Sequence, residues 1–223
     1  WAVIFNLSSR WLILLSLDGG MMAVAIVYAL SLKKEMGEAT VILSGIALSF
    51  IFSSGVMILF SIAASDRVHR TVMWLMGDLS LGRYSVLPHV ALLSMVLIFL
   101  LWIFHRRLDI LSLGSAASLN LGVTPVEVRF LYWTASFLAA ITVAAGGIIG
   151  FVGLMVPHVV RRMSGPGHRY LIPLSAAGGA VFLTLSDTAG RVALPPYQMP
   201  VGVITGFAGG LFFLVYMRRG KDS

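Results

Sequence analysis

Residues 148 to 162 read Ile148-Ile149-Gly150-Phe151-Val152-Gly153-Leu154-Met155-Val156-Pro157-His158-Val159-Val160-Arg161-Arg162. The run is apolar enough for a membrane interior, yet Gly150, Gly153, Pro157 and His158 stand inside what should be a spanning helix. Proline removes a backbone donor and glycine lowers the cost of leaving helical geometry, so the run predicts a broken or re-entrant segment. In hydrocarbon a freed backbone group is tolerated only where protein or a wet cavity satisfies it, and broken helices of this kind line transport pathways. A plain proline kink ahead of an arginine pair is the alternative that the run leaves open.

The rest of the chain supports a membrane setting. Of its 223 residues, 58% are hydrophobic and 11% charged, with a mean hydropathy of +0.94. A soluble domain of this size could not hide so much apolar surface, so an all-α polytopic membrane protein is expected. The absence of cysteine excludes disulfides and thiolate metal or redox sites. A net charge of +7 would suggest nucleic acid in a soluble protein. Here the basic residues lie between apolar runs, which points to topology and anionic lipid headgroups and away from nucleic acid. The chain opens on Trp1 inside an apolar run, the pattern of an N-terminally truncated sequence.

Hydropathy predicts seven membrane segments, near 11–30, 41–63, 86–104, 130–147, 150–163, 172–190 and 201–217. All but the short fifth approach the ~20 apolar residues that cross the bilayer core. If the first runs inward, Lys33, Lys34, Arg106, Arg107, Arg129, Arg161, Arg162, Arg169, Arg218, Arg219 and Lys221 are cytoplasmic, against Arg10, Arg67, Arg70, Arg83 and Arg191 outside, a split of 11 to 5. Without the fifth crossing the better orientation gives 10 to 6, so charge alone hardly separates the two arrangements.

No catalytic constellation is present. Gly77 to Gly82 mimics the start of a phosphate loop but continues Arg83-Tyr84, without the Lys and Ser/Thr that reach phosphate and magnesium. The five histidines show no metal-ligand spacing, so no metal or other cofactor is expected and any uphill transport must be powered from outside the chain. The stretch 109–129 is longer than a helix hairpin needs, and such connections are usually functional or disordered. Ser112 is positioned to cap a short helix bracketed by Gly114 and Gly122, and Thr124-Pro125 reads as the cap and first residue of the next helix. Leu113, Leu119, Leu121 and Val123 would then form an apolar docking surface on a partner, or an interfacial helix on lipid. Asp187 and Arg191 form an i, i+4 pair near the outer end of the sixth segment, either neutralising each other or recognising a partner. Asp18 lies within the first segment beside Gly19-Gly20; it is a pathway candidate, or the span begins after it.

The run at 148–162 resembles the FecCD-type permeases, the membrane subunits of ATP-binding-cassette importers for iron chelates and cobalamin. The likeness continues in order through Gly165-Pro166-Gly167-His168-Arg169, Pro173 to Ala176, Asp187 to Arg191, Pro200 to Thr205 and Phe212-Phe213, about the last third of the chain, and more weakly back to about Leu12. Such permeases have about ten spans in two inverted repeats, so the resemblance implies one domain over 1–223 corresponding to the C-terminal two-thirds of a type II importer permease. It further implies a second permease copy, ATPase subunits that bind the ATP, a periplasmic binding protein, and a bacterial or archaeal inner membrane with the C-terminus in the cytoplasm. Ferric siderophores, haem and cobalamin fall within the expected cargo.

By the same resemblance, Leu113, Gly114, Leu121, Gly122 and Val123 belong to the cytoplasmic coupling element that presses on the ATPase. Arg191 stands on the external rim that meets the binding protein. Gly150, Gly153, Pro157, His158, Asp187, Pro200 and Gly202, with Asp18, fall on the translocation path or its structural motif. This chain departs from the family pattern at Ser115, Ala116, Ser118 and Leu119, where acidic and Ala-Arg residues are common, at Gln198, where Glu is common, and at Leu211, where Pro is common. An ion-coupled secondary transporter is the competing expectation; it would need Asp18 or Asp187 to couple the ion.

Overall fold

The computed structural model describes residues 9–31, 38–79, 87–193 and 198–219. They form α1 (Ser9–Ser31), α2 (Glu38–Ile62), α3 (Ser65–Leu75), α4 (Leu87–Ile103), α5 (His105–Leu111), α6 (Ser115–Asn120), α7 (Pro125–Gly146), α8 (Val152–Ser164), α9 (His168–Val192) and α10 (Val201–Arg219). Lys33, Lys34, Arg83, Lys221 and the Ser80–Tyr84 part of the phosphate-loop mimic lie outside the described residues.

Among the described residues, α2, α7, α9 and α10 are long and apolar enough to cross a membrane, and α4 joins them when taken with α5, from which it is bent by 63°. The remaining two expected segments fall short by length. The described apolar part of α1 runs from Leu14 to Leu30, and α8 has 13 residues. Hydropathy gave no segment at α3, whose Asp66, Arg67, His69 and Arg70 make it amphipathic; Arg70 pairs with Asp66 at 3.1 Å.

Contacts fix the helix directions. The Tyr132 hydroxyl donates to the Val24 carbonyl at 3.5 Å, and a methyl on Gly20 would meet the Ala140 Cβ at 3.2 Å, so α1 and α7 are antiparallel. Val156 and Val152 pack at Gly178 and Gly179, which sets α8 antiparallel against the first half of α9. The Phe151–Phe213 and His158–Tyr216 ring pairs, 6.1 and 4.4 Å apart, set α10 parallel to α8. The Trp102 indole N–H donates to the Arg169 carbonyl at 3.0 Å, placing the end of α4 beside the start of α9.

One end of the bundle therefore gathers Arg106, Arg107, Arg129, Arg161, Arg162, Arg169 and Arg218; the opposite end carries Asp78 and the Asp187–Arg191 pair. The small core lies between α7, α9 and α10 and their neighbours, with Val201 and Thr205 fully buried. α2 has no buried residue in its apolar window, as expected of a helix facing lipid or further protein.

The break before α8 has a measurable role. Ile148 lies against Gly202 near the start of α10, and Phe151 against Gly209, seven residues further along. Those seven helical residues rise about 10 Å, a distance that three extended residues also cover. The 13 residues of α8 add about 20 Å, so strand-like lead-in and helix together match ~30 Å of hydrocarbon. The fifth segment is thus broken into an extended lead-in and a short helix, and is not a kinked full-length helix.

Candidate functional site

The basic end is organised by α5 and α6. α4 stops at Phe104, and the bend sends the charged sequence His105-Arg106-Arg107-Leu108-Asp109 across the end of the bundle. Gly114, at φ 100°, starts α6, and Gly122, at φ 79°, follows it; side chains other than glycine rarely adopt either conformation. Leu113, just before the first glycine, and Leu119 and Leu121 between the two stand out, each more than half exposed. Val123 is the exception to the expected docking surface: it is only 2% exposed, and with buried Ser118 it anchors the element, its N–H bonding the Ser118 carbonyl at 3.0 Å.

Thr124 and Pro125 begin α7 as the sequence predicts, and Glu127 completes the cap. Its carboxylate accepts from the Thr124 N–H at 2.8 Å while the Thr124 hydroxyl accepts from the Glu127 N–H at 3.3 Å. The other Glu127 oxygen holds Arg107 at 3.1 Å, and Arg107 also donates to the Gly122 carbonyl at 3.3 Å. Ser112 corrects the expectation placed on it. It closes α5 and donates to the Asp109 carbonyl at 2.7 Å, because a serine hydroxyl can bond backward along the chain as readily as it caps forward.

Asp109 reaches from α5 to the first residue of α9. Its Oδ1 accepts from the His168 N–H at 2.8 Å and lies 2.6 Å from the His168 Nδ1. Partial burial pushes this carboxyl up, but the His168 backbone bond, the His168 ring and the charges of His168 and His105 together hold it below the ordinary 3.8.

At the opposite end, Arg191 Nε donates to Asp187 Oδ2 at 2.8 Å and its NH2 to Oδ1 at 3.4 Å, so the expected i, i+4 pair forms as a fork while Arg191 keeps 45% of its side chain exposed. The Met199 N–H bonds the Gly190 carbonyl at 3.0 Å and ties the end of α9 to the start of α10. Gly202 sits where a methyl would collide with the carbonyl oxygens of Met76 and Ile148, and its N–H meets the Gly77 carbonyl at 3.5 Å. Its function is close approach of three backbones. Pro200 precedes α10 and accepts from the Val203 N–H at 3.1 Å.

Gly150 and Gly153 have open space around them, Pro157 lies inside α8, and the half-buried His158 ring packs edge-on against Tyr216. Asp18 is exposed on α1, and Gly20 two residues on faces α7, so the carboxylate points away from that contact. The predicted residues therefore fall into a basic-end cluster and a far-end cluster joined by α8, α9 and α10. Among the described residues no group of three His, Asp or Glu side chains could hold a metal. Sequence reasoning missed the Arg107–Glu127 and Asp109–His168 ties. The Thr-x-x-Glu spacing at 124–127 could have revealed the capping box; nothing in the spacing marks a pair 59 residues apart.

Comparison with known proteins extends the likeness beyond the terminal third. The FecCD transport family matches over residues 1–219. The chain is 35% identical over 187 residues to the Fe(3+)-citrate import system permease of Bacillus subtilis, covering 83% of this chain and 56% of that protein. It is 33% identical over 207 residues to the hemin transport system permease of Yersinia pestis, with coverages of 92% and 62%, and 38% identical over 207 residues to the cobalamin import system permease of Halobacterium salinarum, with coverages of 90% and 54%. The chain thus spans little more than half the length of these relatives. The fold matches a solved inward-facing structure of a protein assigned to the metal-chelate type of ABC transporter, with a TM-score of 0.88 and 29% identity over 98% of this chain and 70% of that one. The broken segment, the glycine and proline words after it and the near-complete family match lead to one assignment: the chain belongs to the FecCD transport family.

Proposed function

We propose that this chain forms the main part of a permease subunit of an ABC importer that passes a metal chelate, such as a ferric siderophore, haem or cobalamin, from a periplasmic binding protein to the cytoplasm. Two copies enclose the path, separate ATPase subunits supply the energy, and the basic end and C-terminus face the cytoplasm of a bacterial or archaeal inner membrane. The observation that carries this reading is the leucine surface in and around α6 at the basic end, held by two left-handed glycines and fastened through α5 to α7 and α9. It supplies an apolar docking face of the kind a grooved partner accepts. The names of the relatives support the cargo class, and Arg191 is the exposed cation suited to an acidic face of the binding protein. Asp187 is closed onto Arg191, which leaves the exposed Asp18 as the free-standing candidate that an ion-coupled alternative would have to use.

Gly122→Arg in the full-length permease tests the reading. The position has open space in this chain, but an arginine there is strained by φ 79° and obstructs any groove that receives the neighbouring leucines. The variant should insert in the membrane while ATP hydrolysis no longer drives uptake. Normal uptake with normal co-purification of the ATPase would remove this element from the mechanism.

A further inference from the structure

We propose that Asp109 and His168 form a latch that makes α9 move as one body with the ATPase-facing segment, so that α9 carries the coupling signal to the opposite end of the permease. The proposal rests on the coupling reading above and gives positioning roles to two residues which that reading uses only as an anchor.

α9 begins with its first N–H groups lacking a local side-chain acceptor, since its N-cap is Gly167 and its first turn holds no acid. It also opens on His168-Arg169, which the positive end of the helix dipole disfavours. Asp109 supplies from α5 what α9 lacks: an acceptor for the His168 N–H at 2.8 Å and a carboxylate at the dipole's positive end. The same oxygen contacts the His168 ring at 2.6 Å, so backbone and side chain of one residue are gripped together. Arg107 stands two residues before Asp109, about 200° around the helix, and grips Glu127 in the cap of α7 at 3.1 Å. α5 is therefore a crosspiece fastened on one side to α7 and on the other to α9. With 25 residues α9 is about 37 Å long, and at its far end it presents the Asp187–Arg191 fork and bonds the segment that starts α10. A push on α5 thus has a continuous helical route, past the interior Pro173, to the outer rim, and binding there has the same route back.

The test uses the full-length permease in proteoliposomes with its ATPase subunits, reading the stimulation of ATP hydrolysis by the cargo-free binding protein. Asp109→Ala should keep the ATPase bound, because Leu113, Leu119 and Leu121 remain, while stimulation falls about tenfold. Asp109→Asn keeps an acceptor for the His168 N–H and should retain stimulation within about threefold of the native protein. His168→Ala leaves the backbone bond to Asp109 and should give an intermediate loss with an unchanged unfolding midpoint; it decides the matter if Asp109→Ala does not fold. Native stimulation in folded His168→Ala and Asp109→Ala, with the ATPase still bound, overturns the latch alone. Failure of the native permease to retain an ATPase overturns the coupling reading and the latch with it.

Discussion

At the scale of single residues, the strongest local device is the Thr124–Glu127 box, since it starts α7 and aims the carboxylate that Arg107 grips. Thr124→Ala should lower stability by about 1 kcal/mol, seen as a lower unfolding midpoint of the detergent-solubilised protein. The Asp109 contact has a defined acid limit. Its folded pKa is depressed, so its contribution is complete above the unfolded value of 3.8 and is lost as pH falls through the lower folded value. Acidifying from neutrality to about pH 5 should leave the Asp109 carboxylate charged; a carboxyl infrared band of the protonated acid at that pH would contradict this. Thr124 and Pro125 were legible because capping depends on residues adjacent in sequence. The Asp109–His168 tie was not, since a pair formed by folding over 59 residues leaves no period to read.

At the scale of elements, hydropathy located the long apolar helices of the described residues, because burial in lipid demands a long apolar run. It missed α3, where charge and apolar residues alternate around an 11-residue helix. Gly150, Gly153 and Pro157 signalled a break in the fifth segment but not its place. The turn falls at Phe151, a left-handed residue at φ 66° whose ring fills the space beside Gly209. A phenylalanine in that conformation is unexpected from sequence and is held by its surroundings. Gly209→Ala should therefore overpack the α8–α10 contact and cost about 1–3 kcal/mol. Phe151→Gly in the same chain removes the obstructing ring and suits the backbone, so the double variant should regain unfolding stability; no recovery would place the clash elsewhere.

The whole molecule is a bundle whose described arginines gather mainly at one end, and that much follows from charge counting only once helix directions are known. Counting alone gave 11 to 5 or 10 to 6, because it could not decide whether residues 148–164 cross. Extended lead-in plus short helix together have the length of a crossing, which is the arrangement that labelling tests. A cysteine at Ser164 should then be labelled by impermeant reagents only from the cytoplasmic face, and one at Gln198 only from the other; this chain contains no cysteine to interfere. Labelling of both from one face would mean that α9 does not span. The large exposed apolar side chains of α2, Phe50 at 70% and Ile62 at 76% among them, mark a surface made for lipid or neighbouring helices.

The shortness of α8 also bears on how the protein is made. A 13-residue helix with two terminal arginines and a central proline is a poor candidate for leaving the translocon into lipid by itself, and its extended lead-in carries backbone groups that hydrocarbon cannot satisfy. Its partners are α9, synthesised immediately afterwards, and α10, which follows α9. Residues 148–164 are therefore expected to integrate only together with these later helices, so the broken segment makes insertion here a joint event of α8, α9 and α10 and not a helix-by-helix one.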